Sequence, residues 1–216
     1  MIKSYFSSSS LNTNWMPLFP LNTVLFPRGI LPLKVFETRY IDMMRESMKN
    51  HTPFGVVLIR SGQEVGAPAE PETVGCLAQV IECDMQTLGI LLLRIQGTKR
   101  FCILETRVVA DNQIEARIEM KVEDAMIPIT DIHVRCAQAL KIVIDDIHAK
   151  GAADKGNAFN SPFALPLQFD EAGWVANRWC EILPIPLKAR QKLLELDDAQ
   201  NRLSVVHEYL RQHEIL

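Results

Sequence analysis

Several signatures of catalytic and metal-binding proteins are missing from this sequence of 216 residues. It has no Gly-x-x-x-x-Gly-Lys-Ser/Thr loop for nucleotide phosphates and no His-Glu-x-x-His pattern for zinc. It also has no apolar run near the roughly 20 residues that span a bilayer. We therefore expect no cofactor, no bound metal and no membrane partner.

A surplus of positive charge is also missing. The 23 Lys and Arg residues are outnumbered by 26 Asp and Glu residues, and the formal net charge is −3. Nucleic-acid-binding proteins usually carry a basic surplus or stripe that neutralises phosphates. The nearest feature is a set of four cations on predicted strands: Arg94, Lys99, Arg100 and Arg107. We interpret this set as a solvated face, so nucleic acid is not the expected partner.

Paired cysteine spacing is absent as well. The five cysteines are Cys76, Cys83, Cys102, Cys136 and Cys180. No Cys-x-x-Cys pair occurs among them, and no secretory hydrophobic region precedes them, which is typical of a reducing compartment. We expect reduced thiols in a cytoplasmic protein. His133 lies three residues before Cys136, but no third orienting group accompanies the pair, so we expect no catalysis there.

What the sequence does contain is enough apolar material for a core, since 48% of its residues are hydrophobic. The first strongly patterned stretch is 17–40, PLFPLNTVLFPRGILPLKVFETRY. Its four prolines each fix φ and remove a donor, which excludes one long helix or one long central strand. We predict strands at Leu18–Leu21 and Ile30–Val35, joined by a turn in which Gly29 supplies a positive φ.

The next region is patterned mainly as strands. Residues 114–122 alternate between apolar and charged side chains, which indicates one buried face, and Asp111-Asn112 predicts the hairpin before them. Gly97-Thr98 predicts another turn. The predicted elements are a helix over 37–49 and strands over 54–59, 74–81, 88–95, 100–109 and 114–122. A run of strands with one inserted helix predicts a small, closed or partly closed β-barrel.

Helical patterns begin after Pro128. A first amphipathic helix, with Thr130 or Asp131 as its N-cap, is predicted from apolar residues at steps of three and four. This stripe consists of Ile132, Cys136, Leu140, Val143 and Ile147. A long loop over 151–168 follows, and long loops in compact domains are often functional.

Three helices are predicted at the C-terminal end. Asp170 is the predicted cap of the first, Pro186 the start of the second, and Asp197 with Gln200 a capping box for the third. The predicted organisation is a flexible lead-in over 1–15, a barrel domain over 16–125 and a helical subdomain over 126–216. Met16 is an alternative start of the protein.

The opening stretch also resembles a known family. PLFPLNTVLFP followed by LPLKVFETRY is similar to the start of the Lon-protease N-terminal substrate-binding domain, whose stand-alone members usually show (I/V)FExRY. The matching residues are Val35, Phe36, Glu37, Arg39 and Tyr40. Thr38 stands where the family often has proline or alanine. The similarity continues at 54–57, 75–78, 95–101 and 183–184. It implies an α+β fold with a PUA-like small β-barrel, an inserted helix and a C-terminal helical subdomain.

The resemblance also implies a function. Lon proteases carry an ATPase and a protease module after this domain, and this sequence ends before either could begin. We therefore expect a non-enzymatic module that holds exposed apolar segments of client proteins in a groove between barrel and helices, with an apolar floor. The candidate substrate-binding residues are Phe36, Glu37, Arg39, Tyr40, Phe159 and Phe163.

Alternatives remain open at two levels. Glu37 and Arg39 could instead stabilise the helix start, and Phe159 and Phe163 could pin their loop onto the barrel. The protein could also be an adaptor or assembly subunit for a separate protease or chaperone. A third possibility is a barrel that binds RNA or a small molecule.

Overall fold

A computed structural model of the protein describes residues 12–87, 89–156 and 159–216. In these residues the protein forms six strands and five helices, and the predicted α+β class is confirmed. The strands are β1 (Asn12–Leu21), β2 (Ile30–Val35), β3 (Phe54–Ser61), β4 (Glu70–Thr87), β5 (Ile90–Val108) and β6 (Ile114–Met120). The helices are α1 (Thr38–Asn50), α2 (Val134–Lys155), α3 (Ala172–Ile182), α4 (Leu187–Glu195) and α5 (Ala199–Gln212).

The strands form a closed circuit of pairs. Their order is β2-β5-β4-β3-β1-β6, and β6 also pairs with β5. β1 runs parallel to β3, with Leu18 opposite Gly55, whereas the other pairs are antiparallel. The circuit β1-β3-β4-β5-β6 therefore returns to β1. Among the described strands, β2 pairs with β5 alone, so β2 is an edge strand.

The opening of the sequence differs from its prediction in two respects. β1 begins at Asn12, so residues 12–15 belong to a strand and not to a loose lead-in; residues 1–11 lie outside the described part. The turn before β2 closes as predicted, because the Gly29 N–H donates to the Phe26 carbonyl at 2.9 Å. However, Arg28 and not Gly29 has the positive φ, at 63°.

The predicted turn at Gly97-Thr98 is wrong, because β5 continues through both residues. Gly97 instead permits a close backbone approach, since a Cβ there would clash with the Phe26 carbonyl oxygen. The Arg28 N–H donates to the Gly97 carbonyl at 2.8 Å, and the Gly97 N–H donates to the Gly29 carbonyl at 2.9 Å. These bonds attach the turn before β2 to the middle of β5.

The start and end of α2 also correct the prediction. A 3-10 turn over Asp131–His133 precedes the helix, and neither Thr130 nor His133 caps it through a side chain. The predicted apolar stripe is confirmed from Cys136 onwards and also includes the fully buried Ile144, whereas Ile132 is exposed and does not belong to it. The helix also runs four residues beyond Gly151, into the segment predicted as loop.

The caps of α3 and α5 are each one residue later than predicted. Glu171, not Asp170, caps α3 by accepting from the N–H groups of its first turn. Asp198 caps α5 by accepting from the Asn201 N–H at 2.6 Å, whereas Asp197 pairs with Lys121 at 2.7 Å. α4 begins directly after Pro186, as predicted.

Buried apolar side chains of the described residues form three clusters. One lies among the paired strands, around Leu18, Phe101 and Ile118. A second packs α1 against β2, β4 and β5 through Met44 and its neighbours. The largest joins the strands to α2, α3, α4 and α5, and includes Phe26. The position of the helices is therefore set by burial against the strand circuit.

His133 lies buried between α2 and α5. Its Nδ1 is 2.9 Å from the Gln200 side-chain amide and 3.0 Å from Thr130 Oγ1. The His207 ring meets it edge to face at 5.4 Å. Burial lowers the pKa of His133, and His207 lowers it further. Protonation in the folded state is therefore opposed by burial and by the neighbouring ring.

This lowered pKa predicts a loss of stability in acid. Below the unfolded value of about 6.5 the unfolded state binds the proton more tightly, so stability falls as the pH falls from there towards the folded pKa. We expect His133→Gln to flatten the dependence of Tm on pH between about pH 7 and pH 5. His213→Gln, at the exposed end of α5, is the control and should keep the wild-type slope. A wild-type slope in His133→Gln would contradict the assignment.

Candidate functional site

A cleft of about 260 Å³ lies between the strand circuit and the helices. Residues 98–100 of β5 form one wall, and α3 forms the opposite wall through Gly173, Trp174 and Asn177. The turn at Arg28 and the segment between β6 and α2 close its sides. The sequence predicts an apolar floor for a groove in this position, but the floor is charged.

Arg100 and Asp124 line that floor, and the buried Arg202, outside the lining, is the second partner of Asp124. Arg100 Nη2 lies 2.7 Å from Asp124 Oδ1, and Arg202 Nη1 lies 2.6 Å from Asp124 Oδ2. Asn177 Oδ1 accepts a further bond from Arg202 at 3.0 Å. The interpretation of Arg100 as part of a solvated face is wrong, because its side chain is buried. Asp124 thus joins β5 to α5.

The same arginines hold the end of α4. Arg100 donates to the Leu194 carbonyl at 3.0 Å, and Arg202 Nε donates to the Leu193 carbonyl at 2.9 Å. Such terminal carbonyls have no partner within their helix and carry partial negative charge. Burial lowers the pKa of Arg100, and the nearby Asp124 carboxylate opposes this shift. The floor is therefore satisfied internally.

The mouth of the cleft carries apolar side chains instead. Met126 lines the cleft and is 78% exposed. Val122 is 85% exposed and precedes cleft residue Glu123, while Leu165 is 74% exposed and precedes Pro166, whose carbonyl accepts a bond from Arg28 at 3.4 Å. Among the described residues these three are the most exposed large apolar side chains. Met126 thus stands at the cleft itself, and Val122 and Leu165 are each one residue from a group that lines the cleft or bonds to its lining.

The predicted site residues at the start of α1 lie elsewhere. Phe36 is exposed, at 55%, whereas Tyr40 is buried. Arg39 pairs with Glu37 at 2.8 Å, donates to the Asn112 carbonyl at 2.7 Å and stacks over the Tyr40 ring. The charged pair thus connects α1 to the hairpin between β5 and β6. Desolvation raises the pKa of Tyr40.

Phe159 and Phe163 form a second group. His148 of α2 meets both rings edge on, at centroid distances of 6.0 Å for Phe159 and 5.9 Å for Phe163. Phe163 is buried and its backbone bridges to Gly29, and Phe159 packs so closely on Gly151 that a Cβ there would clash. Both rings hold their loop on its neighbours. Of the six predicted residues, none lines the cleft in the part of the protein that the structure describes.

Sequence reasoning missed the residues that form the cleft. Asp124 and Met126 lie in a connector without periodicity, so no pattern marks them. Arg28 was missed because the adjacent Gly29 is the usual residue for a positive φ, and the turn was assigned to that glycine. Arg202 lies on an amphipathic helix at a position that the charge of its side chain assigns to the surface. The burial of an arginine such as Arg202 can be predicted only once the position of its carboxylate partner is known.

Most of the sequence matches a known protein family. The family model described as the ATP-dependent protease La (LON) substrate-binding domain matches residues 15–212. The chain belongs to the Lon substrate-binding domain family. The resemblance found in the opening stretch is thereby confirmed.

Full-length Lon proteases contain a region similar to this chain. The Lon protease of Anaeromyxobacter dehalogenans is 29% identical over 204 residues, which are 93% of this chain and 24% of that protein. Lon protease 2 of Myxococcus xanthus is 26% identical over 207 residues, with 93% and 24% covered. The chain thus spans about a quarter of the length of the Lon proteases that it matches.

Solved structures resemble it in fold. A Lon N-terminal domain protein from Xanthomonas campestris has a TM-score of 0.69 and 28% identity, covering 89% of this chain and 96% of that one. The N-terminal domain of a Mycobacterium avium complex Lon protease has a TM-score of 0.61 and 16% identity, covering 93% and 100%. The second likeness concerns the fold alone.

Metal ligands and thiols are the remaining groups with reactive potential. The described residues contain no group of three or more His, Cys, Asp or Glu placed to hold a metal ion. All five cysteines are free thiols, and burial raises the pKa of Cys76 and Cys180 to about 12 and that of Cys136 to about 11. These three thiols stay protonated near neutral pH.

No helix in the described ranges is long and apolar enough to cross a membrane.

The charged floor predicts unequal roles for two adjacent carboxylates. Asp124→Asn leaves buried Arg202 without a counter-ion and Arg100 with only Asp197, at 3.9 Å, and we expect a loss of about 3 kcal/mol in the free energy of unfolding. Glu123→Gln removes only an exposed pair with Lys99 and should cost less than about 1 kcal/mol. Urea unfolding of both variants measures the difference. Equal stability of the two variants would contradict the assignment of Asp124.

Proposed function

We propose that this protein is a polypeptide-binding module that holds exposed apolar segments of partly folded client proteins and makes or breaks no bond in them. Membership of a family described by substrate binding supports this class of role. The observation that carries the proposal is the exposure of Met126 at the cleft. Val122 and Leu165, the other two of the three most exposed large apolar side chains among the described residues, are each one residue from groups at that cleft.

The cleft and its mouth have different tasks in this proposal. Met126, Val122 and Leu165 bury apolar side chains of the client, at roughly 25 cal/mol per Å² removed from water. The floor needs no counter-charge from the client, because Asp124 and the carbonyls of α4 already satisfy both arginines. Binding is therefore broad in sequence and modest in affinity, as expected for a surface that accepts many clients.

We also propose the finer architecture. The return of β6 to β5 supports a PUA-like β-barrel over residues 16–125, with the helices over 126–216 as a subdomain. Five free thiols support a reducing, cytoplasmic setting. Of the residues predicted from the sequence, Phe36 is exposed and stays a proposed client contact. The other five have structural contacts, either at the start of α1 or in the loop between α2 and α3. The free edge of β2 offers backbone pairing to a client.

A second candidate is an adaptor that delivers clients to a separate protease or chaperone. It is favoured by one observation: the proteins that contain this region are Lon proteases about four times its length. Pull-down with the purified protein as bait, against a Lon protease and chaperones, distinguishes the adaptor from a free-standing binder. Nucleic-acid binding has no such support, since the net charge is −3.

The apolar mouth predicts where client affinity resides. We expect the double variant Met126→Ser/Leu165→Ser to bind a permanently unfolded, fluorescently labelled protein about tenfold more weakly than wild type, since about 1.4 kcal/mol of apolar burial is lost. Fluorescence anisotropy measures the affinity. The folded, chemically unmodified form of the protein used as the unfolded client serves as the non-binding reference.

The matched control is Ile142→Ser. This residue on α2 is 70% exposed and does not line the cleft, so its replacement should leave the affinity unchanged. Unchanged binding by the double variant would exclude this cleft as the client site. Absence of binding by the wild-type protein at high micromolar concentration would reject the function itself.

A further inference from the structure

Arg28 is a cation at the cleft whose partners are neutral. Its Nη1 donates to Gln168 Oε1 at 2.5 Å and its Nη2 donates to the Pro166 carbonyl at 3.4 Å. Among the residues that the structure describes, no carboxylate pairs with Arg28. The two other cations of the cleft differ, because Lys99 pairs with Glu123 and Arg100 with Asp124.

The carboxylates that line the cleft are already engaged. Glu123 pairs with Lys99, and Asp124 binds two buried arginines. Glu171 accepts from two N–H groups in the first turn of α3. Within the described cleft lining, the positive charge of Arg28 therefore remains uncompensated. A guanidinium has five N–H donors in a planar fork, so donors remain after its two neutral bonds are counted.

The backbone at Arg28 is unfavourable for arginine. Its φ of 63° lies in the left-handed region, which costs a non-glycine residue roughly 1 kcal/mol. Glycine would occupy this position without that cost. What glycine could not supply is the guanidinium, which lines the cleft and bonds to Gln168 and the Pro166 carbonyl.

We propose that Arg28 binds a carboxylate of the client while an apolar side chain next to that carboxylate packs on Met126 and Leu165. Arginine and carboxylate match as a two-bond fork, and the apolar mouth lies beside it. The inference rests on the proposed function and narrows its substrate class to apolar segments that carry an acidic group. An Asp or Glu residue and the free C-terminus of a polypeptide present the same carboxylate.

The test uses one short Leu- and Val-rich labelled peptide in three forms. The first has a central Asp and an amidated end, the second a central Asn and a free terminal carboxylate, and the third a central Asn and an amidated end. We expect the wild-type protein to bind one or both carboxylate forms about tenfold more tightly than the third form at low salt. The peptide form that binds more tightly than the third form identifies the source of the carboxylate.

Two variants of equal charge change locate the effect. Arg28→Gln should remove the preference for carboxylate, whereas Arg45→Gln, an exposed residue of α1 outside the cleft lining, should retain it. Arg28→Gly tests the backbone argument: it should also lose the preference but keep or raise the Tm, because the strain is relieved. A marked fall in Tm would give Arg28 a structural role and overturn the inference.

The remaining outcomes separate the two proposals. Equal binding of all three peptides by the wild-type protein, or a preference that survives in Arg28→Gln, overturns the role of Arg28 and leaves the polypeptide-binding function standing. Failure of every peptide and of the unfolded protein to bind overturns both.

Discussion

Two buried guanidinium groups that share one carboxylate are the constraint on which the rest of the structure depends. Arg100 belongs to β5 and Arg202 to α5, and Asp124 in the connector between β6 and α2 binds both. Burying two such charges is costly unless their hydrogen bonds are satisfied, and the carbonyls at the end of α4 and Asn177 Oδ1 supply further acceptors. The relative position of strands and helices, and with it the cleft, follows from this arrangement.

The turn before β2 forms the other side of that cleft. It is attached to β5 at Gly97, where the absence of a side chain lets two backbone segments meet. This attachment places Arg28 at the cleft in a strained conformation. The cleft therefore combines a floor with matched charges, one unmatched cation at the side and an apolar mouth.

Patterns along the sequence predicted individual elements well. The bounds predicted for β2 match the observed ones, because a turn precedes it and a helix follows it, and the alternation over 114–122 identified β6, which ends two residues earlier. The hairpin at Asp111-Asn112 was also correct, and both residues have positive φ. Patterns failed where a glycine had two possible uses: Gly97 permits a close approach within β5, although its surroundings are typical of a turn.

By itself the sequence determined the family, the α+β class and which face of most elements is buried, because these depend on local spacing and on the order of motifs along the polypeptide. Only the tertiary structure decided that Arg100 and Arg202 are buried, that Arg28 and not Gly29 has the positive φ, and that Met126 lies at a cleft mouth. The physical reason is the separation along the sequence between the residues that make these contacts. Asp124 meets one partner 24 residues away and another 78 residues away, and no periodicity records a contact between segments so far apart.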